Sequence, residues 1–158
     1  MKQRGVTLIQ MMFALAMAAL LTQIGMPAYA RLSDDLHRAA AARDLAQALR
    51  SARSHAMLQG QPVQVQSLEN NWGNGWRVVL ESNQQVLREH RLSRTMRIAQ
   101  KTGRRVRFSA LGVPLGRGNN FTGATLEICD SQYRVVLASS GRVSLRTEES
   151  NSPRCAAF

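Results

Sequence analysis

From Val6 to Ala30 the chain carries no charged side chain. Those 25 residues are mostly Leu, Ile, Met, Ala and Phe. About 20 apolar residues in a helix span the hydrocarbon core of a bilayer. These side chains are good helix formers, and no Gly or Pro interrupts them before Gly25 and Pro27. Lys2 and Arg4 precede the run and Arg31 follows it. A basic leader predicts a cytoplasmic N-terminus, with everything after the helix on the far side of the membrane. Of 158 residues, 31–158 then remain for one head domain with a modest core.

Two processing readings fit these residues. Ala28-Tyr29-Ala30 supplies the A-x-A site of a secretory signal, whose cleavage would release a soluble periplasmic binding protein starting at Arg31. The other reading cuts after Gly5 and keeps the helix. A secretory apolar region is usually about 7–15 residues, shorter than this one, which favours the second reading.

The helical pattern continues beyond the apolar run. Leu32, Leu36, Leu45, Leu49, Ala52 and Ala56 recur at three- and four-residue steps, with a gap through the alanines at 39–42. Arg38, Arg43, Arg50 and Arg53 fall largely on the other face. Gly60 and Pro62 are stop signals. One helix from near Thr7 to about Gln59 is predicted, kinked at Pro27 where a backbone donor is missing.

After Pro62 the period changes to two. Strands are predicted at Val63–Val65, Trp76–Glu81, Val86–Leu92, Arg97–Ala99, Val106–Ser109, Ala124–Cys129, Tyr133–Ala138 and Arg142–Arg146. Turn residues separate them: Asn70-Asn71, Gly73-Asn74-Gly75, Ser82-Asn83, Gly116 to Asn120 and Ser139-Ser140-Gly141. A helix followed by a run of antiparallel strands reads as α+β, with the second half of the helix packed on the sheet.

Several motifs resemble those of one family. Arg4-Gly5-Val6-Thr7-Leu8-Ile9-Gln10 resembles the prepilin signal of type IV pilins and pseudopilins. Ala48 to Ala56, Pro62-Val63, Trp72-Gly73-Asn74-Gly75-Trp76, Phe108 to Gly112 and Ser140-Gly141-Arg142-Val143 are similar, in that order, to the FimT/GspH family. That family comprises minor type IV pilins and the minor pseudopilin H of type II secretion. The resemblance implies a pilin fold, a leader peptide at 1–5, an assembly and transmembrane helix at 6–30 and a periplasmic head at 31–158. It further implies a prepilin peptidase acting between Gly5 and Val6, with N-methylation of Val6. The protein would sit in the inner membrane as a single-pass subunit and join other pilins or pseudopilins, reaching the surface with a pilus. Gln10 departs from the pattern, which usually has Glu there. A neutral amide is cheaper to leave in lipid than an unpaired carboxylate, but offers no charge for pairing with a neighbouring subunit's amine.

Cys129 and Cys155 are the only cysteines. In an oxidising periplasm they are expected to form a disulfide holding the last hairpin. No catalytic constellation, metal site or cofactor motif is legible, so no enzyme is expected. His37, His55 and His90 are scattered, and no CxxC, HExxH or Gly-rich phosphate loop occurs. Trp72 and Trp76, read as flanking a Gly-Asn-Gly turn, are expected to pack inward rather than to stack on bases.

The charge is +11, from 21 basic and 10 acidic residues, and 19 of the basic residues are Arg. Guanidinium groups grip phosphate bidentately, which points to a polyanionic partner: nucleic acid such as double-stranded DNA, anionic lipid, or an acidic protein surface; solubility or an Arg-rich composition bias is the plainer reading. The candidate contacts are Arg104, Arg105 and Arg107 in a basic segment, and Arg142 and Arg146 on the final hairpin, about 13 Å apart on one strand face. FimT-type pilins that capture DNA for natural transformation carry Gly-Arg-x-Arg near this place. Here Gly141 and Arg142 match, Ser144 replaces the second arginine, and Arg146 follows two residues later.

Overall fold

The computed structural model describes residues 7–100, 103–116, 120–147 and 155. The chain divides into two compact units, one ending at His37 and one beginning at Arg38.

A single helix, α1, spans Leu8–Gln59 and contains Pro27. Both ends are chemically marked. Gln10 Oε1 accepts a hydrogen bond from the Thr7 N–H at 3.1 Å. In Thr7-Leu8-Ile9-Gln10 this is the returning half of a capping box. At the other end Gly60 takes φ +62°. The Gln61 N–H then donates to the Ala56 carbonyl at 3.3 Å, a Schellman-type closure. In the first unit the helix buries almost nothing in its own chain: an 18-residue window has mean hydropathy 1.8 and none of it is buried.

Among the described residues the second unit carries nine strands in two antiparallel sheets. The first sheet has the order β3-β2-β1-β5-β6, from β1 (Val63–Leu68), β2 (Asn71–Leu80), β3 (Val86–Arg91), β5 (Arg105–Phe108) and β6 (Pro114–Leu115). The second has the order β4-β7-β8-β9, from β4 (Ile98–Gln100), β7 (Ala124–Ile128), β8 (Tyr133–Leu137) and β9 (Val143–Thr147). Register places apolar rows on one face: Leu80, Val63 and Phe108 align across three strands, as do Val78, Val65 and Val106. In the second sheet Leu126, Val135 and Leu145 align likewise. These rows join the helix residues Ala42, Leu45, Leu49, Ala52 and Ala56 in one core. The period-2 expectation therefore holds, and the α+β architecture with it.

Two sequence expectations need correction. The alanines at 39–42 are not a gap in the buried stripe, because Ala39, Ala41 and Ala42 are all buried. They continue the buried face of the helix with small side chains. Gly73-Asn74-Gly75 is not a turn but the middle of β2. The chain reverses earlier, at Glu69 and Asn70, which both adopt positive φ (49° and 61°). The glycines serve close approach instead. A Cβ on Gly73 would stand 1.7 Å from the Met96 carbonyl oxygen, and one on Gly75 would stand 2.2 Å from that of His90. Trp72 and Trp76 are both buried, and Trp76 stacks on His90 of the neighbouring strand with ring centroids 4.9 Å apart.

Cys129 and Cys155 form a disulfide with Cα atoms 5.5 Å apart, as expected. It ties residue 155 to the end of β7 across 26 positions of sequence. Closing such a loop is worth about 3.5 kcal/mol in the chain-entropy picture.

Candidate functional site

Three groups of residues carry what the molecule offers to partners: the start of the helix, the arginines of the head, and the loops that position them. Gly5 and Val6 lie outside the described residues. Gln10 lies within them and has a local role the departure from Glu had obscured. Its amide oxygen caps the first turn, and a neutral acceptor is sufficient for that. The signal was in the sequence, as Thr followed three residues later by Gln.

The candidate arginines fall into different environments. Arg107 is half-buried and faces Glu81 at 2.7 Å, so its charge is already matched. Arg104, Arg105, Arg142 and Arg146 are exposed and have no carboxylate partner among the described residues. On β9 Val143 is buried and Leu145 packs against the core. Alternation turns Arg146 outward, in register with Arg134, which is itself paired to Glu127 at 3.1 Å. The five do not form one cluster. Arg142 follows Gly141, which rests on the loop after β5, whereas Arg104 and Arg105 stand at the start of β5. That strand alone is about 13 Å long. Elsewhere in the basic segment, Arg97 pairs with Asp130 at 2.8 Å, and Arg91 with Glu89 and Glu69 at 3.1 and 3.4 Å.

The helix arginines do more than solvate a face. The Arg53 guanidinium donates to the Gly141 carbonyl at 3.0 Å, and that of Arg50 to the Val143 carbonyl at 3.4 Å. Arg38 donates to the Asp130 carbonyl. All three tie turns of the second sheet to the helix. Periodicity alone placed them on the face away from the apolar stripe and gave them no partners. Long stems let a side chain lie along apolar surface and still deliver a donor at its tip. Gly141 has φ +83°, and a Cβ there would stand 2.4 Å from the Gly112 oxygen and 2.9 Å from Arg53 Nε. The glycine of the Gly-Arg motif is thus required by packing. Asp130 is held below the usual carboxylate range by its hydrogen bond from Arg97, with the charges of Arg97 and Arg38 adding to the effect.

This arrangement of helix, sheets and loops is matched elsewhere. The family profile described as Type II transport protein GspH matches residues 41–141. The chain belongs to the GspH family. That family consists of structural pilin components. The type IV minor pilin FimU of Pseudomonas aeruginosa is similar in structure, with TM-score 0.66 and 23% identity over 78% of this chain and 98% of that one. A second crystal form of FimU gives TM-score 0.61 and 27% identity, covering 73% and 98%. The minor pseudopilin EpsH from the type II secretion system of Vibrio cholerae aligns with TM-score 0.55 and 14% identity, covering 72% and 97%. No curated protein matches the sequence significantly. The head shares the fold of these solved structures, and the N-terminal helix of this GspH-family chain is long and apolar enough to cross a membrane.

Proposed function

We propose that the chain is a minor type IV pilin that takes part in initiating or tipping a pilus. The observation that carries this reading is the exposed apolar helix joined to a head that aligns with 98% of FimU. The apolar first part of the helix buries nothing in its own chain and must be covered by something else, first lipid and then the helices of other pilins. The prepilin peptidase cuts after Gly5, residues 6–30 hold the subunit in the inner membrane, and residues 31–158 form the periplasmic head. The exposed Arg142 and Arg146 add a surface for the phosphate backbone of double-stranded DNA. Mass spectrometry should find an N-methylated Val6 as the mature N-terminus; Arg31 in that place would revive the released periplasmic protein. Sheared pili should contain the subunit, and more of it after Gln10→Glu. That change keeps the capping oxygen and exchanges the amide's donors for a negative charge able to pair with a neighbouring subunit's amine.

A second reading has support in the description of the matching family. As pseudopilin H, the subunit would serve protein export rather than a pilus. Deleting the gene separates the two: loss of piliation with secretion intact supports the pilus, and the reverse supports secretion.

A further inference from the structure

Two neighbouring cavities on the head share Asn70 and Arg104. The first, about 560 Å³, is bounded by Gln66, Arg77, Gln84, Arg104 and Arg105. Register places Arg77 and Arg105 on either side of Gln66 on the polar face of the first sheet. Their Cα atoms therefore stand about 10 Å apart. The Arg77 guanidinium donates to Gln66 Oε1 at 3.3 Å, and the Gln66 amide donates to Gln84 Oε1 at 3.2 Å. Arg77 is thereby positioned without being neutralised. The carboxylate on the rim, Glu69, is already engaged by Asn74 at 2.9 Å and Arg91 at 3.4 Å.

The second cavity, about 530 Å³, is lined by Trp72, Met96, Ile98 and Gln100 among others. Both amide atoms of Gln100 are buried and have no hydrogen-bond partner. An unsatisfied buried polar group is costly, and this one presents a donor and an acceptor side by side. Two kinds of group answer that pair: the edge of a nucleobase and the main chain of a peptide. A base would also need an aromatic face to stack on. Trp72, the aromatic residue among those lining the cavity, is 4% exposed and donates its indole N–H to the Gly103 carbonyl at 3.4 Å. Aliphatic walls, an orphaned amide and an adjoining cationic cavity suit a peptide better.

We infer that the two cavities form one bipartite docking site for an extended acidic segment of a partner protein. An aliphatic side chain packs on the partly exposed Met96, a main-chain amide pairs with Gln100, and an aspartate or glutamate reaches Arg77, Arg104 and Arg105. The net charge of +11 disfavours a second copy as the occupant and suits an acidic partner. The site goes beyond the pilus reading and uses neither Arg142 nor Arg146.

The test is selection from a random peptide display library on the full chain in detergent micelles. Enriched peptides should combine aliphatic residues with Asp or Glu at short spacing. Their affinity should fall about tenfold in the Arg104→Glu, Arg105→Glu double variant, with Arg77→Gln as a milder second variant. Gln100→Leu should weaken them as well, while Arg43→Gln, at an exposed helix position outside both cavities, should leave them unchanged. Circular-dichroism melts matching the parent establish that the variants fold. Enrichment of no acidic sequence, or acidic peptides that bind the variants as tightly as the parent, would overturn the proposal. So would a single-stranded oligonucleotide bound in a Gln100-dependent manner with no peptide enriched, which would reassign the site to nucleic acid.

Discussion

At the scale of single residues, Gly141 separates two explanations that the sequence fuses. Glycine before an arginine in a basic hairpin invites a binding role for both. In the structure the glycine is fixed by its φ of +83° and by the Gly112 oxygen that a Cβ would strike. Gly141→Ala should therefore destabilise the head by about 1–3 kcal/mol, read as a lower melting temperature. Any accompanying loss of DNA binding would follow from the displaced hairpin. A stability equal to the parent would mean the turn relaxes freely. Asp130 gives a residue-scale prediction of a different kind. Its folded pKa lies below the ordinary value of about 3.9 because Arg97 donates to it. A lowered carboxyl pKa adds stability above the unfolded value, and that stability is lost as pH falls through the folded one. In Arg97→Gln the carboxyl carbon of Asp130 should titrate closer to the ordinary range by NMR. Global stability at neutral pH should hardly change, since both side chains are more than half exposed.

At the scale of elements, the helix is held to the sheets by smallness as much as by apolarity. Ala42, Ala52 and Ala56 are fully buried, and Leu45 and Leu49 supply the bulk between them. These alanines lie fully buried in a close-packed core, so added volume has nowhere to go. Ala42→Leu should cost about 1–3 kcal/mol by overpacking, measured by denaturant midpoint. Ala40→Leu, on the exposed side of the same turn, is the control and should stay within about 0.5 kcal/mol of the parent. The edge strand β3 shows the opposite strategy. Arg88, Glu89 and Arg91 keep it charged and exposed, which guards an open edge against pairing with another chain.

At the scale of the molecule, the net charge of +11 is less available than its size suggests. Arg91, Arg97, Arg107 and Arg134 face carboxylates, and Arg38, Arg50 and Arg53 serve backbone carbonyls. What remains outward includes Arg142 and Arg146 on the last hairpin and Arg104 and Arg105 at the start of β5, with Arg77 and Arg88 on their strands and Arg31 and Arg43 on the helix. If the hairpin meets DNA, the full chain in micelles should bind duplex without sequence preference. Log affinity should fall with log salt at about −0.9 per phosphate contact. Replacing Arg142 and Arg146 by Gln should flatten that slope by up to about two and leave the melting temperature unchanged. Transformation should fall while piliation persists. An unchanged slope in the double variant would remove the hairpin as a DNA contact.

Much of this molecule was legible before it folded. The uncharged run to Ala30, the switch from a three-to-four period to a period of two, and the Gly60 stop determined one long helix followed by antiparallel strands. Those signals are local, set by side-chain periodicity and backbone preference within a few residues. The two cysteines predicted their own bond because few cysteines leave few choices. What tertiary structure alone decided were contacts between residues far apart in sequence. Gly73 and Gly75 read as turn residues, yet they sit inside a strand because Met96 and His90 press on them from other parts of the chain. Arg38, Arg50 and Arg53 read as lying on the face away from the apolar stripe, yet they reach the turns at 130 and 141–143 from about ninety residues away. The division into two sheets also lay beyond the periodicity. A strand's alternation says which face is buried, but strand partners are chosen by the packing of the whole core.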